Sequence, residues 1–248
     1  IIPFVTVFVG MLFIYKSSFF KLLYGNSIYG VAYIVTFSIT NITFVLSIQN
    51  TNVANTLVMI ALAPMLSAIF GAIFLKEKPD RNTLIAIAIT FLSVLYIFYD
   101  SVKLGNIFGD ILGFITACGL AAGATIIRAG KSLNLVPSAV VGKLVVALVA
   151  LFFIDTFELK DNDIYIIPAM CILCVAIPFV LVTLAPRYIT GAEVNLFFLM
   201  ETVLGPIWVW MVVKEQPSME TIQGGVVIIL TIAIHSFLAI KKTQTKTT

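Results

Sequence analysis

Polar residues in this chain gather in short clusters, and the stretches between them are apolar on every side. Nine such stretches run approximately over 1–15, 27–48, 52–75, 83–99, 107–127, 136–154, 164–185, 190–213 and 219–240. All-round apolarity over these lengths predicts buried or membrane-spanning helices rather than strands. The strict alternation of a membrane barrel is absent. The connections read as short loops: Lys16 to Asn26, Lys76 to Asn82, Asp100 to Asn106, Arg128 to Leu135 and Asp155 to Asp163. The predicted fold is therefore all-α, a multi-pass transmembrane helical bundle with nine helices visible.

Composition sharpens this picture. Of 248 residues, 60% are hydrophobic and 11% charged, and the mean hydropathy is +1.11. A soluble domain carries roughly 45–50% apolar and about 25% charged residues, so a water-soluble enzyme, a disordered chain and a secreted disulfide scaffold are excluded. At about 20 residues per span, the spans consume the chain and leave no room for a soluble domain. The net charge of +3 comes from basic residues scattered between apolar blocks, which points away from nucleic acid and towards topology. With alternate loops assigned to opposite sides and Ile1 outside, one side collects eleven basic residues, Lys16, Lys21, Lys76, Lys78, Arg81, Arg128, Lys131, Arg187, Lys241, Lys242 and Lys246. The other collects three, Lys103, Lys160 and Lys214. This bias predicts a cytoplasmic C-terminus in the cell's inner membrane.

An internal repeat is visible as well. A shift of 138 residues lays Lys76-Glu77-Lys78-Pro79 over Lys214-Glu215-Gln216-Pro217, Thr83 over Thr221, Leu66 over Leu204 and Ala54 over Ala192. The second half has five segments and the first shows four, the missing element being the partner of 107–127. Five helices per copy is an odd number, so the copies are inverted across the membrane. Inverted repeats are a device of secondary transporters, whose sites lie near mid-membrane between the halves.

Ala54 through Pro64 to Leu75-Lys76-Glu77-Lys78-Pro79 resembles the fourth helix of EamA-type members of the drug/metabolite transporter superfamily. The second copy is similar through Ala192, Glu201, Pro206, Lys214-Glu215-Gln216-Pro217 and the pair Gly224-Gly225. Gly109-Asp110, opening a helix that ends at Arg128, resembles the start of that family's second repeat. The resemblance implies two inverted five-helix repeats, 1–99 and 107–240, with a cytoplasmic tail over 241–248. It also implies ten helices with both termini cytoplasmic, of which this sequence lacks the first.

Ionisable residues inside spans are the sharpest functional signals, since each costs at least ~2.5–3.5 kcal/mol at the bilayer centre. Glu201 sits mid-way along 190–213, and Lys143 lies seven residues into 136–154. Their depths differ by about 6 Å at 1.5 Å per residue, within reach of a lysine stem. Three readings stand: a structural ion pair, a clamp on a charged or zwitterionic substrate, or a proton-coupling role for Glu201 with Lys143 tuning it. Asn195, Asn41 and Asn55 are further candidates for the substrate-binding wall, though asparagine also serves as glue between helices. Trp208 shares a helical stripe with Glu201. Pro64 and Pro206 occupy near-corresponding places in the two copies and read as hinges.

Gly119-x-x-x-Gly123 and Ala63-x-x-x-Ser67-x-x-x-Gly71 read as close-packing patterns. Cys171 and Cys174 have CxxC spacing, but inside an apolar run they read as small packing residues. No phosphate-binding glycine loop, zinc spacing or nucleophile elbow is present. The expectation is a transporter without cofactor or metal, not an enzyme. Its partners are a small-molecule substrate and the lipid bilayer, not nucleic acid, and it is a monomer or homodimer. The substrate is a small polar or amphipathic metabolite, resembling an amino acid, amine or carboxylate. A lipid flippase or a non-transporting partner subunit is the alternative.

Overall fold

A computed structural model describes residues 2–16, 18–79, 81–104, 106–153, 163–178, 181, 204–205, 207–214 and 216–245. Among these, no strand occurs and nearly all regular structure is helical. The elements are α1 (Ile2–Tyr15), α2 (Ser18–Gly25), α3 (Ser27–Asn50), α4 (Val53–Ile60), α5 (Ala63–Phe74), α6 (Arg81–Leu104), α7 (Ile107–Ala129), α8 (Val136–Leu151), α9 (Asp163–Met170) and α10 (Met219–Thr245). Two wide helical turns, Cys171–Ala176 and Val209–Val213, complete the list. Four stretches are long and apolar enough to cross a membrane: Ser27–Asn50, Val53–Phe74, Arg81–Tyr99 and Ile107–Ala129.

Two expectations are corrected. Helix α6 runs on through Leu104, so most of the stretch Asp100 to Asn106 is helix and not loop. The stretch Lys16 to Asn26 is not a loop either, because Ser18–Gly25 forms α2. Its helical pattern is carried by Phe19, which is buried and packs edge-on against Phe8 of α1. The lysines flanking that phenylalanine disguise the helix as a polar connection.

The chain divides into two compact units. The first comprises Ile1–Ile39 with Ile126–Gly191. Its core gathers Val7, Met11, Phe19, Val140 and Ala176, with Phe4, Phe8, Leu12, Tyr15 and Val136 packed against them. Helix ends are tied together at Asn26, whose amide donates to the Asn134 carbonyl at 2.8 Å and to Ser138 Oγ at 3.1 Å. Asn134 Nδ2 in turn donates to the Tyr15 hydroxyl at 3.2 Å. The ends of α1 and α2 thus meet the start of α8.

The second unit comprises Thr40–Thr125 with Ala192–Thr248. Its core is built from Val58, Met59, Leu62 and Met65 of the 53–74 stretch, Ala86, Val94 and Ile97 of α6, Ala117 of α7, and Ile228 and Ile232 of α10. Gly119 faces Thr40 so closely that a Cβ would overlap the threonine hydroxyl, which is the close helix approach that the small-residue spacing predicts. Several described span hydroxyls serve their own helix: Thr90 bonds the Ala86 carbonyl, Thr116 that of Leu112 and Thr125 that of Ala121, while Thr116 also meets Thr43 of α3 at 2.8 Å.

The 52–75 span is broken. α4 ends at Ile60, and α5 starts at Ala63 with Pro64 in its first turn. There the missing N–H has no intrahelical acceptor to lose. The repeat also has a local echo. Lys76 and Lys214, superposed by the 138-residue shift, both adopt the left-handed conformation, at φ 57° and 59°.

Candidate functional site

In a helix bundle meant for lipid, a buried carboxylate is the most expensive group to place. Asp110, in the first turn of α7, is fully buried. Helix starts concentrate partial positive charge on their unbonded N–H groups, which favours an acid there. The rest of its environment comes from other segments. Thr51 Oγ1, at the turn between α3 and α4, donates to Asp110 Oδ1 at 2.6 Å. Asn55 Nδ2, on α4, donates to Oδ2 at 3.3 Å and lies 3.4 Å from Oδ1. Asn55 Oδ1 then accepts from Thr221 Oγ1 of α10 at 2.7 Å. Ser218 caps that same helix start, accepting the Thr221 backbone N–H at 3.2 Å.

A second layer lies beside it. Ser47 Oγ donates to the Gly109 carbonyl at 2.8 Å. Its single proton is then spent, so the 2.7 Å contact with Thr56 is donated by the threonine. Gly109 is required here, because a Cβ would come within 2.5 Å of the Asn50 carbonyl carbon. That close approach brings Asp110 up to Thr51. The cluster therefore joins the end of α3 to the starts of α4, α7 and α10, all within the second unit.

Over residues 1–99 the chain matches the EamA-like transporter family. No curated protein and no solved structure matches it. The family is one of membrane transporters, and the EamA-like stretch contains Asn41, Thr51, Asn55 and Pro64. Its helices, with those that follow, form a multi-pass helical membrane protein.

The sequence-predicted residues fall as follows. Asn55 is buried, and both ends of its amide bond to residues on other segments. Asn41 is half-buried on α3. Lys143 is half-buried on α8 in the first unit, its ammonium 5.7 Å from the centroid of the Phe37 ring. Trp208 is 61% exposed. Glu201, Asn195 and Pro206 lie outside the described residues. Cys118, Cys171 and Cys174 are free thiols. Among the described residues, no group of three or more His, Cys, Asp or Glu side chains is placed to hold a metal.

Asp110 is the functional candidate that the sequence reading passed over, since there it served only as the opening of a helix. Its signal was an acid between two glycines, Gly109 and Gly113, three residues inside an apolar run.

Proposed function

We propose that the protein is a secondary transporter that moves a small polar or amphipathic metabolite, resembling an amino acid, amine or carboxylate, across the inner membrane by alternating access. The observation that carries this reading is the match of residues 1–99 to a transporter family, in a chain with four described stretches able to span a bilayer. In this reading the C-terminus is cytoplasmic, as the basic-residue bias supports. Lys143 and Glu201 engage charged ends of the substrate, and Glu201 carries the proton where transport is proton-coupled. Asn41, Asn195 and Trp208 supply further contacts, and Pro64 and Pro206 sit at the hinges. The Asp110 cluster holds the second unit's helix starts as one body, so that its helices move together.

The test is uptake by proteoliposomes across a metabolite panel, with and without an imposed proton gradient. Accumulation of one solute class, lost in Glu201→Gln, supports the reading. A folded protein that moves none of the panel, or whose Glu201→Gln variant transports and couples normally, defeats the corresponding part.

A further inference from the structure

Helix α3 changes company part-way along. Through Ile39 it belongs to the first unit, and from Thr40 onwards to the second. The described partners on either side of that passage differ. Before it, the Phe37 ring lies so close over Gly142 of α8 that a Cβ there would overlap it, and Ser38 Oγ reaches the Gly142 carbonyl at 3.2 Å. After it, Thr40 closes on Gly119 of α7, and Thr43 Oγ1 meets Thr116 Oγ1 at 2.8 Å.

The hydroxyls flanking this passage each have a second acceptor on their own helix. Ser38 Oγ lies 2.7 Å from the Ile34 carbonyl, and Thr43 Oγ1 lies 3.2 Å from that of Thr40. One hydroxyl proton serves one acceptor fully, so either bond can be traded for the other without orphaning the donor. Hydroxyls bonded to their own helix backbone also tend to bend it. Thr36, Ser38, Thr40 and Thr43 gather in the middle of this 24-residue helix. Pro64, by contrast, joins α4 to α5, and both lie in the second unit, so a bend there stays inside that unit.

We propose that α3 carries a hinge between Ser38 and Thr43, its first half moving with α8 and its second half with the Gly113–Gly119 stretch of α7. The hinge uses neither glycine nor proline. As the helix bends, its hydroxyls exchange an own-helix carbonyl for an acceptor on the neighbouring helix, and a few residues absorb the change in backbone angles. The use of this hinge in a transport cycle rests on the transporter reading, whereas the flexing itself does not.

The test is amide hydrogen exchange along α3, read by mass spectrometry on the full chain in detergent without solute. Amides of residues 38–43 are expected to exchange faster than those of 30–36 and 44–49 on either side, because the hinge opens local hydrogen bonds. Ser38→Ala combined with Thr43→Val is expected to abolish that maximum. Thr43→Ser, which keeps its hydroxyl, and Thr231→Ala, which removes a hydroxyl back-bonded within α10, are expected to leave it in place. In proteoliposomes the double variant is expected to slow solute exchange while solute-induced stabilisation is unchanged. Slowest exchange at 38–43, a maximum that survives the double variant, or a maximum lost equally in Thr231→Ala each overturns the hinge. A maximum that responds to the variants as expected in a protein that moves no solute supports the hinge and defeats the transporter reading instead.

Discussion

The Thr51 hydroxyl is 2.6 Å from the Asp110 carboxylate, and both groups are buried. A hydrogen bond to a charged group contributes about 1.5–3 kcal/mol, and an orphaned buried partner costs about as much again. Thr51→Val is therefore expected to lower the unfolding midpoint clearly in detergent. Asp110→Leu is expected to be worse than Asp110→Asn, because it removes the carboxyl oxygens that Thr51 and Asn55 both donate to. A double-mutant cycle between Thr51→Val and Asp110→Asn is expected to show coupling of at least ~0.5 kcal/mol. Additive effects would mean that the contact is not energetically linked.

Gly109 and Gly10 make a matched pair. A methyl at Gly109 meets the Asn50 backbone, whereas one at Gly10 meets nothing within 4 Å. Backbone yields less readily than a side chain, so Gly109→Ala is expected to cost about 1–3 kcal/mol through overpacking. Gly10→Ala, in the interior of α1, is expected to be neutral or to gain up to ~1 kcal/mol from helix propensity. Thermal denaturation of the two variants side by side checks the sign of each.

These two sites also show what was legible in the sequence. Four of the nine expected spans were, because each is apolar over its whole length and polar clusters punctuate them. Pro64 was legible as a special position in its helix, but the end of α4 at Ile60 was not, since 52–75 reads as one apolar segment. Asp110 was not, since its surroundings are assembled from the α3–α4 turn and the start of α10, far away in the chain. A sequence shows an acid entering a helix but not the segments that close over it. α2 was missed for a related reason: Phe19 earns its place only through α1. Lys143 was legible as a charge in a span, but its position over Phe37 depends on how α3 and α8 pack.

Lys76 holds φ at 57° just past α5. The left-handed region costs an L-residue with a Cβ roughly 1–2 kcal/mol, and glycine occupies it freely at helix C-termini. Lys76→Gly is expected to stabilise the protein by a fraction of that amount, because glycine loses more freedom on folding. Lys214→Gly, at φ 59°, is expected to behave the same way. A melting comparison with Lys78→Gly, which has no left-handed backbone to relieve, separates this effect from loss of charge: Lys78→Gly is expected to bring no gain.

Lys143 offers the most direct line from structure to transport. Its ammonium lies 5.7 Å from the Phe37 ring centroid, a contact worth about 0.5–1 kcal/mol when exposed and about 2 when desolvated. Lys143→Met keeps the length of the stem and removes a charge that the bilayer disfavours. The variant is therefore expected to fold, with an unfolding midpoint close to that of the parent. If the ammonium binds substrate, the same variant loses stabilisation by carboxylate-bearing solutes, while Glu201→Gln loses it for amine-bearing ones. A ligand at one hundred times its Kd adds about 2.7 kcal/mol to a single-site protein, enough for a thermal-shift screen to register. Full retention of carboxylate stabilisation in Lys143→Met would take the ammonium out of the site and leave Lys143 with its contact to Phe37. Destabilisation without any change in ligand response would carry the same meaning, and Phe37→Leu should then reproduce it.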